Sequence, residues 1–128
     1  MTSQKHILVI DDDPVSRRLF GAKLADLGFN VLYAQNGEQG RETARRFHPD
    51  LILLDIKMPI MDGYKTAERL RSEKETADIP IVFLTNEDLS LEAEKVLKEA
   101  WNAEYLHKGI DMEKFGKRIK KILGTKKE

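Results

Sequence analysis

The chain has no cysteine, no apolar run long enough to cross a membrane, and no excess of either charge. The first absence excludes a disulfide framework and any thiolate-bound metal, and it agrees with a reducing compartment. The second excludes a membrane-spanning helix, which needs roughly 18–20 consecutive apolar residues. Met1 to Lys5 leads straight into a short apolar stretch, without the apolar core and small-residue cleavage site of a secretory leader, so a cytoplasmic protein is expected. The balance of 22 basic against 22 acidic side chains leaves no overall field to hold nucleic acid or an anionic membrane. Neither is expected as a partner of the chain by itself. The one basic cluster, Lys117, Arg118, Lys120, Lys121, Lys126 and Lys127, reads first as the solvated face of a last helix and its tail, where cations also favour the helix C-terminus.

What is present is a globular composition, 41% hydrophobic and 34% charged over 128 residues, which predicts one domain over residues 1–128. Its expected core runs from about residue 5 to 123, with a short frayed tail from Gly124. Three four-residue apolar runs, Ile7 to Ile10, Leu51 to Leu54 and Ile81 to Leu84, are too short for helices and fit parallel strands covered on both faces. Weaker strands are expected at Val31 to Ala34 and Ala103 to Leu106. Between them lie helical stripes: Val15, Leu19, Phe20, Leu24 and Leu27; Thr43, Ala44 and Phe47; Tyr64, Ala67 and Leu70; Ala93, Val96, Leu97 and Ala100; Phe115, Ile119 and Ile122. The alternation predicts an α/β fold, a doubly wound parallel sheet of about five strands with helices on both faces.

Ligands of such sheets bind beyond the carboxyl ends of the strands, where the strand order reverses. The first central run ends in Asp11-Asp12-Asp13, the second in Asp55 and the third in Thr85. Asp13 precedes Pro14 and reads as a helix N-cap with proline at the first helical position. That leaves Asp11, Asp12 and Asp55 crowded together, and three carboxylates repel one another unless protonated or bridged by a cation. An all-oxygen donor set suits magnesium better than zinc or copper. His6, His48 and His107 are scattered without metal-ligand spacing.

Residues 51–63, Leu-Ile-Leu-Leu-Asp-Ile-Lys-Met-Pro-Ile-Met-Asp-Gly, closely resemble the phosphorylation-site motif of response-regulator receiver domains. The resemblance extends to Asp11-Asp12, Thr85 and Lys108, covering about residues 5–123. It implies a flavodoxin-like sheet of order 2-1-3-4-5 with five helices, and a phosphoacceptor rather than an enzyme, with at most slow self-catalysed phosphorylation and dephosphorylation. Asp55 would accept a phosphoryl group from a sensor histidine kinase or a histidine phosphotransfer protein. Asp12 and Asp55 would bind magnesium with their side chains, Asp11 mainly through water and Lys57 through its backbone carbonyl. Lys108 would add a fixed charge, Thr85 a hydroxyl donor, and Tyr105 a switch aromatic that rotates as Thr85 moves inward. The face of the fourth helix, fifth strand and fifth helix would then change its affinity for a downstream protein, the chain being a monomer or a weak, activation-dependent dimer. Lys57 and Glu87 sit where the family controls water access and phosphoryl lifetime, close enough in this reading to pair across the site. Asp62-Gly63 reads as a turn with no chemistry.

The chain departs from that family in three places. Gly109 follows Lys108 where proline is usual, which loosens the loop holding Lys108. Asn86 replaces a small residue after Thr85 and narrows access to the site. Trp101 stands in place of a glycine, as core packing or as an exposed anchor, in a stretch one residue longer than in many members. Two other readings stay open: a receiver-like module that binds partners without phosphorylation, and a small phosphatase resembling the haloacid dehalogenases, with Asp11 as nucleophile and Asp13, Thr85 and Lys108 in its motifs.

Overall fold

The computed structural model describes residues 4–124. Strands and helices alternate as β1 (His6–Ile10), α1 (Pro14–Asp26), β2 (Asn30–Ala34), α2 (Gly37–Phe47), β3 (Leu51–Leu54), α3 (Gly63–Ser72), β4 (Ile81–Thr85), α4 (Leu91–Trp101), β5 (Ala103–His107) and α5 (Met112–Ile122). All strand pairs are parallel, in the order β2-β1-β3-β4-β5. The three continuous apolar runs occupy the three central positions, because only a strand covered on both faces tolerates apolar side chains pointing both ways. Along β1 and β3, alternate residues enter two separate cores. Leu8, Ile10, Ile52 and Leu54 pack with Ala44, Ala67, Leu70 and Leu97 of α2, α3 and α4. Ile7, Val9, Leu51 and Leu53 pack with Phe20, Leu24, Phe115 and Ile119 of α1 and α5. Among the described residues no helix is long and apolar enough to cross a membrane.

Four helices begin on side-chain caps. Asp13, Asn36, Asp62 and Ser90 accept from the backbone N–H of Val15, Gln39, Lys65 and Ala93. Each cap satisfies a donor that the helix leaves orphaned, worth about 1 kcal/mol. Asp13 with Pro14 behind it therefore serves as the expected cap.

Three of the expected stripes are only partly covered. In α1 the buried line is Ser16, Phe20 and Leu24, while Val15 is 73% and Leu19 53% exposed. The exposed pair sits one position earlier at each turn, rotated about 100° around the helix from the sheet-facing line. In α4 only Leu97 is buried, with Val96 and Ala100 outside, because this helix covers the edge of the sheet beside β5. Phe47 ends α2 in solvent with the Arg46 guanidinium 5.9 Å from its ring centroid. Trp101 takes the packing role: half-buried, it stacks on Tyr64 at 5.9 Å and meets Phe83 at 6.1 Å. The basic tail beyond Gly124, with Lys126 and Lys127, lies outside the described residues.

Candidate functional site

The sheet order reverses between β1 and β3, and the residue after each of these strands is an aspartate. The backbone ladder holds both at one level. Asp11 N–H donates to the Ala34 carbonyl at 3.1 Å and Asp55 N–H to the Ile10 carbonyl at 3.0 Å, each continuing its ladder one step past the strand. From β5, Lys108 is fixed by its own N–H to the Thr85 carbonyl at 2.8 Å. The loop after Asp55 folds back closely, with Gly63 N–H donating to the Ile56 carbonyl at 2.7 Å. A Cβ on Gly63 would lie 2.2 Å from the Asp55 carbonyl oxygen, so only glycine permits this approach.

Asp11, Asp12 and Asp55 bring carboxylate oxygens within 4.8 Å of one another. Asp11 and Asp55 are 2% and 7% exposed, and Asp12 stands at the rim. The buried Lys108 ammonium lies 2.7 Å from Asp11 Oδ2 and 3.2 Å from Asp55 Oδ2. Asp11 is otherwise well held: Ser16 Oγ donates to Oδ2 at 2.7 Å and Asp13 N–H to Oδ1 at 3.0 Å. Arg17 donates to its backbone carbonyl at 2.8 Å. Asp55 Oδ1 accepts from Ile56 N–H at 2.8 Å.

One buried ammonium does not balance these charges. Burial, and then the Asp11 charge, push the Asp55 carboxyl up to about 6, against the opposing pull of Lys108. Burial acts to lower the Lys108 ammonium, but its hydrogen bond and attraction to Asp11, then to Asp55, outweigh it and hold it above its ordinary range. An excess of negative charge presented by oxygen atoms alone fits a hard divalent cation. Asp11 carries three contacts on its two oxygens and Asp55 one on each, which leaves the rim residue Asp12 as the freest donor.

The remaining expected residues form a second connected group around Glu87. Thr85, 1% exposed, accepts Glu87 N–H on Oγ1 at 3.2 Å. The Glu87 carboxylate meets Lys57 Nζ at 3.1 Å, the pairing that the sequence suggests. Tyr105 is half-buried, with its hydroxyl donating to the Glu87 carbonyl at 2.6 Å and receiving Leu89 N–H at 3.4 Å. The aromatic is thus tied to the β4–α4 loop. Asn86 is exposed, with its carbonyl turned to His107.

Sequence reasoning misses three contributors. Ser16 holds Asp11, Gly63 lets the loop close over Asp55, and the His107 imidazole bonds to both Asn86 and Gly109. A buried serine one turn into α1 and a glycine after a cap carry no spacing signal, because each acts through contact with backbone or with one carboxylate.

Comparison with known proteins agrees with this arrangement. The family model for the response regulator receiver domain matches residues 7–120. PilH of Pseudomonas aeruginosa is 36% identical over 118 residues, covering 91% of this chain and 96% of PilH. The DNA-binding dual master transcriptional regulator RpaA of Synechocystis is also 36% identical over 118 residues, but the chain spans only 48% of its length. Among solved structures, the receiver domain of sensor histidine kinase PA1611 from Pseudomonas aeruginosa, with a magnesium ion coordinated in its active site cleft, superposes with a TM-score of 0.83 at 28% identity. That match covers 96% of this chain and all of the other. An acidic pocket at the switch point of a 2-1-3-4-5 sheet, matched over most of the chain, places the protein in the response regulator receiver domain family.

Proposed function

We propose that this receiver accepts a phosphoryl group on Asp55 from a sensor histidine kinase or a histidine phosphotransfer protein. The observation that carries this reading is the buried Asp55 carboxylate, facing two further carboxylates and one buried ammonium at the strand ends. An Asp55 oxygen attacks the phosphorus of the partner's phosphohistidine in line. The N–P bond breaks, its electron pair returns to the imidazole, which takes up a proton, and an acyl phosphate remains on Asp55. The Lys108 charge waits beside the acceptor without reorganisation, and the Thr85 hydroxyl supplies a donor to the phosphoryl oxygens. Magnesium would be held by Asp12 and Asp55, by Asp11 mainly through water, and by the Lys57 carbonyl. When bound it neutralises phosphoryl oxygens. Asp11, the nucleophile of the phosphatase alternative, already accepts three hydrogen bonds or ion pairs on its two oxygens, which favours Asp55.

The Lys57–Glu87 pair spans the site and limits the approach of water to the acyl phosphate, which sets its lifetime. Inward movement of Thr85 draws on the Glu87 N–H and so on Tyr105, and the face of α4, β5 and α5 reads out the change for a downstream protein. A phosphohistidine can reach Asp55 only if its protein covers the rim, and α1, which starts directly after Asp13, exposes Val15 and Leu19 in an open patch with Pro14, Arg18 and Ala22. We assign that face of α1 to the donor. The receiver domain works in the cytoplasm, monomeric or weakly dimeric when activated.

Intact mass spectrometry after treatment with acetyl phosphate and magnesium tests the reading. The wild type is expected to gain one phosphoryl group, and Asp55→Asn none. A folded wild type that gains none, or a mutant that gains as much, overturns it.

A further inference from the structure

We propose that His107 is a positioning residue for this reaction, its imidazole stapling the loop that carries Lys108 to the loop that follows Thr85. The inference rests on the reading of Asp55 as the acceptor. Lys108 has to present its ammonium at a fixed point, 2.7 Å from Asp11 and 3.2 Å from Asp55. Its backbone is anchored on one side by its N–H to the Thr85 carbonyl at 2.8 Å. On the other side stands Gly109, exposed and without a side chain to hold it, the residue type with the most conformational freedom to lose. The Lys108 side chain reaches a buried pair of carboxylates from a turn that its own sequence leaves loose.

The imidazole supplies the missing anchor. His107 Nδ1 accepts Gly109 N–H at 2.8 Å, and the ring packs against that residue so closely that a Cβ there would stand 3.0 Å from Nδ1. The His107 carbonyl accepts Ile110 N–H at 3.0 Å, closing the same turn. A backbone N–H is always a donor, so Nδ1 carries no proton here, and in the neutral ring the proton resides on Nε2. Nε2 is then free to donate to the Asn86 carbonyl at 3.0 Å, with Asp88 Oδ1 at 3.4 Å from the same nitrogen. Both bonds call for one and the same tautomer. The next residue in the tethered loop is Glu87, which joins Thr85, Tyr105 and Lys57. His107 thus links the group that receives the phosphoryl charge to the group that responds to it, without touching either Asp55 or the phosphoryl position.

His107→Ala and His107→Asn separate this role from general packing. Asparagine retains an oxygen able to accept the N–H two residues on, as in an Asx-turn, but does not reach Asn86. With acetyl phosphate and saturating magnesium, His107→Ala is expected to phosphorylate about tenfold more slowly than wild type, short of the ~100-fold that a 1 Å misplacement of a reacting group costs. His107→Asn is expected to recover only part of that loss, because it keeps the bond to Gly109 N–H and lacks the one to Asn86, with both variants melting near the wild-type temperature. The wild-type imidazole ¹⁵N spectrum is expected to show the Nε2–H tautomer with Nδ1 as acceptor. A wild-type rate in His107→Ala, full recovery in His107→Asn, or the opposite tautomer overturns the staple. Failure of the acceptor reading looks different: wild type and Asp55→Asn then both stay unmodified, while the tautomer spectrum still reports on His107.

Discussion

Asp55 carries its charge in a buried place beside Asp11, and its carboxyl is pushed up to about 6 from an ordinary 3.8. A carboxyl raised in the folded state contributes stability that is fully present below about 3.8 and is lost as pH rises through about 6. Above that window the metal-free protein keeps an uncompensated charge in its pocket. Asp55→Asn is therefore expected to be more stable than wild type at neutral pH, by about 2 kcal/mol, with the gap closing as pH falls from 6 towards 4. Urea unfolding of both proteins across that range, without divalent ions, checks it. Ile60 shows a second kind of local cost. It is 95% exposed with φ at 72°, a region that disfavours β-branched side chains and that asparagine tolerates. Ile60→Asn is expected to stabilise the fold by about 1 kcal/mol in the same assay. Asp11, Asp12 and Asp55 are plain in the sequence, because chemistry at strand ends needs charged side chains where a buried run stops, whereas Lys108 follows a half-buried edge strand and is marked only by the resemblance to receiver domains. The sequence hides Ser16, Gly63 and His107, whose partners are single atoms on neighbouring loops.

Among the elements, the strands are the most legible. A run such as Leu51 to Leu54, all four buried, has one stable home in a sheet covered on both faces. Helix faces are less so, since apolar spacing marks side chains that prefer to leave water without saying what covers them. In α1 the same spacing runs through Phe20 and Leu24, covered by the sheet, and Val15 and Leu19, which meet solvent. Substituting Val15 or Leu19 by aspartate accordingly tests the donor-docking assignment. Stability is expected to change by no more than about 0.5 kcal/mol, as for exposed positions free of special contacts. Phosphorylation by acetyl phosphate is expected to stay at the wild-type rate, whereas transfer from the cognate phosphohistidine protein slows at least tenfold, about 1.4 kcal/mol. Equal transfer from the protein donor would remove α1 from the docking surface.

For the whole molecule, the 2-1-3-4-5 order is what makes a site of these residues. It sets β1 beside β3, so that Asp11 and Asp55, 44 positions apart, share one ammonium from the end of β5. The alternation of runs and stripes predicts a doubly wound parallel sheet, the resemblance to receiver domains its strand order, and the carboxylates at the strand ends the pocket. The hydrogen bonds that connect pocket to rim, through Glu87, Tyr105 and His107, emerge only once the loops are folded. We infer that charge on Asp55 is sensed along that route. Amide NMR of wild type and Asp55→Asn, titrated with magnesium and then with beryllofluoride as a mimic of phosphoryl aspartate, tests it most directly. Shifts are expected at Asp12, Asp55 and Lys57 with magnesium, spreading to Thr85, Glu87 and Tyr105 with beryllofluoride, with no beryllofluoride response in the mutant. A folded wild type that answers neither addition, or a beryllofluoride response that persists in Asp55→Asn, would contradict it.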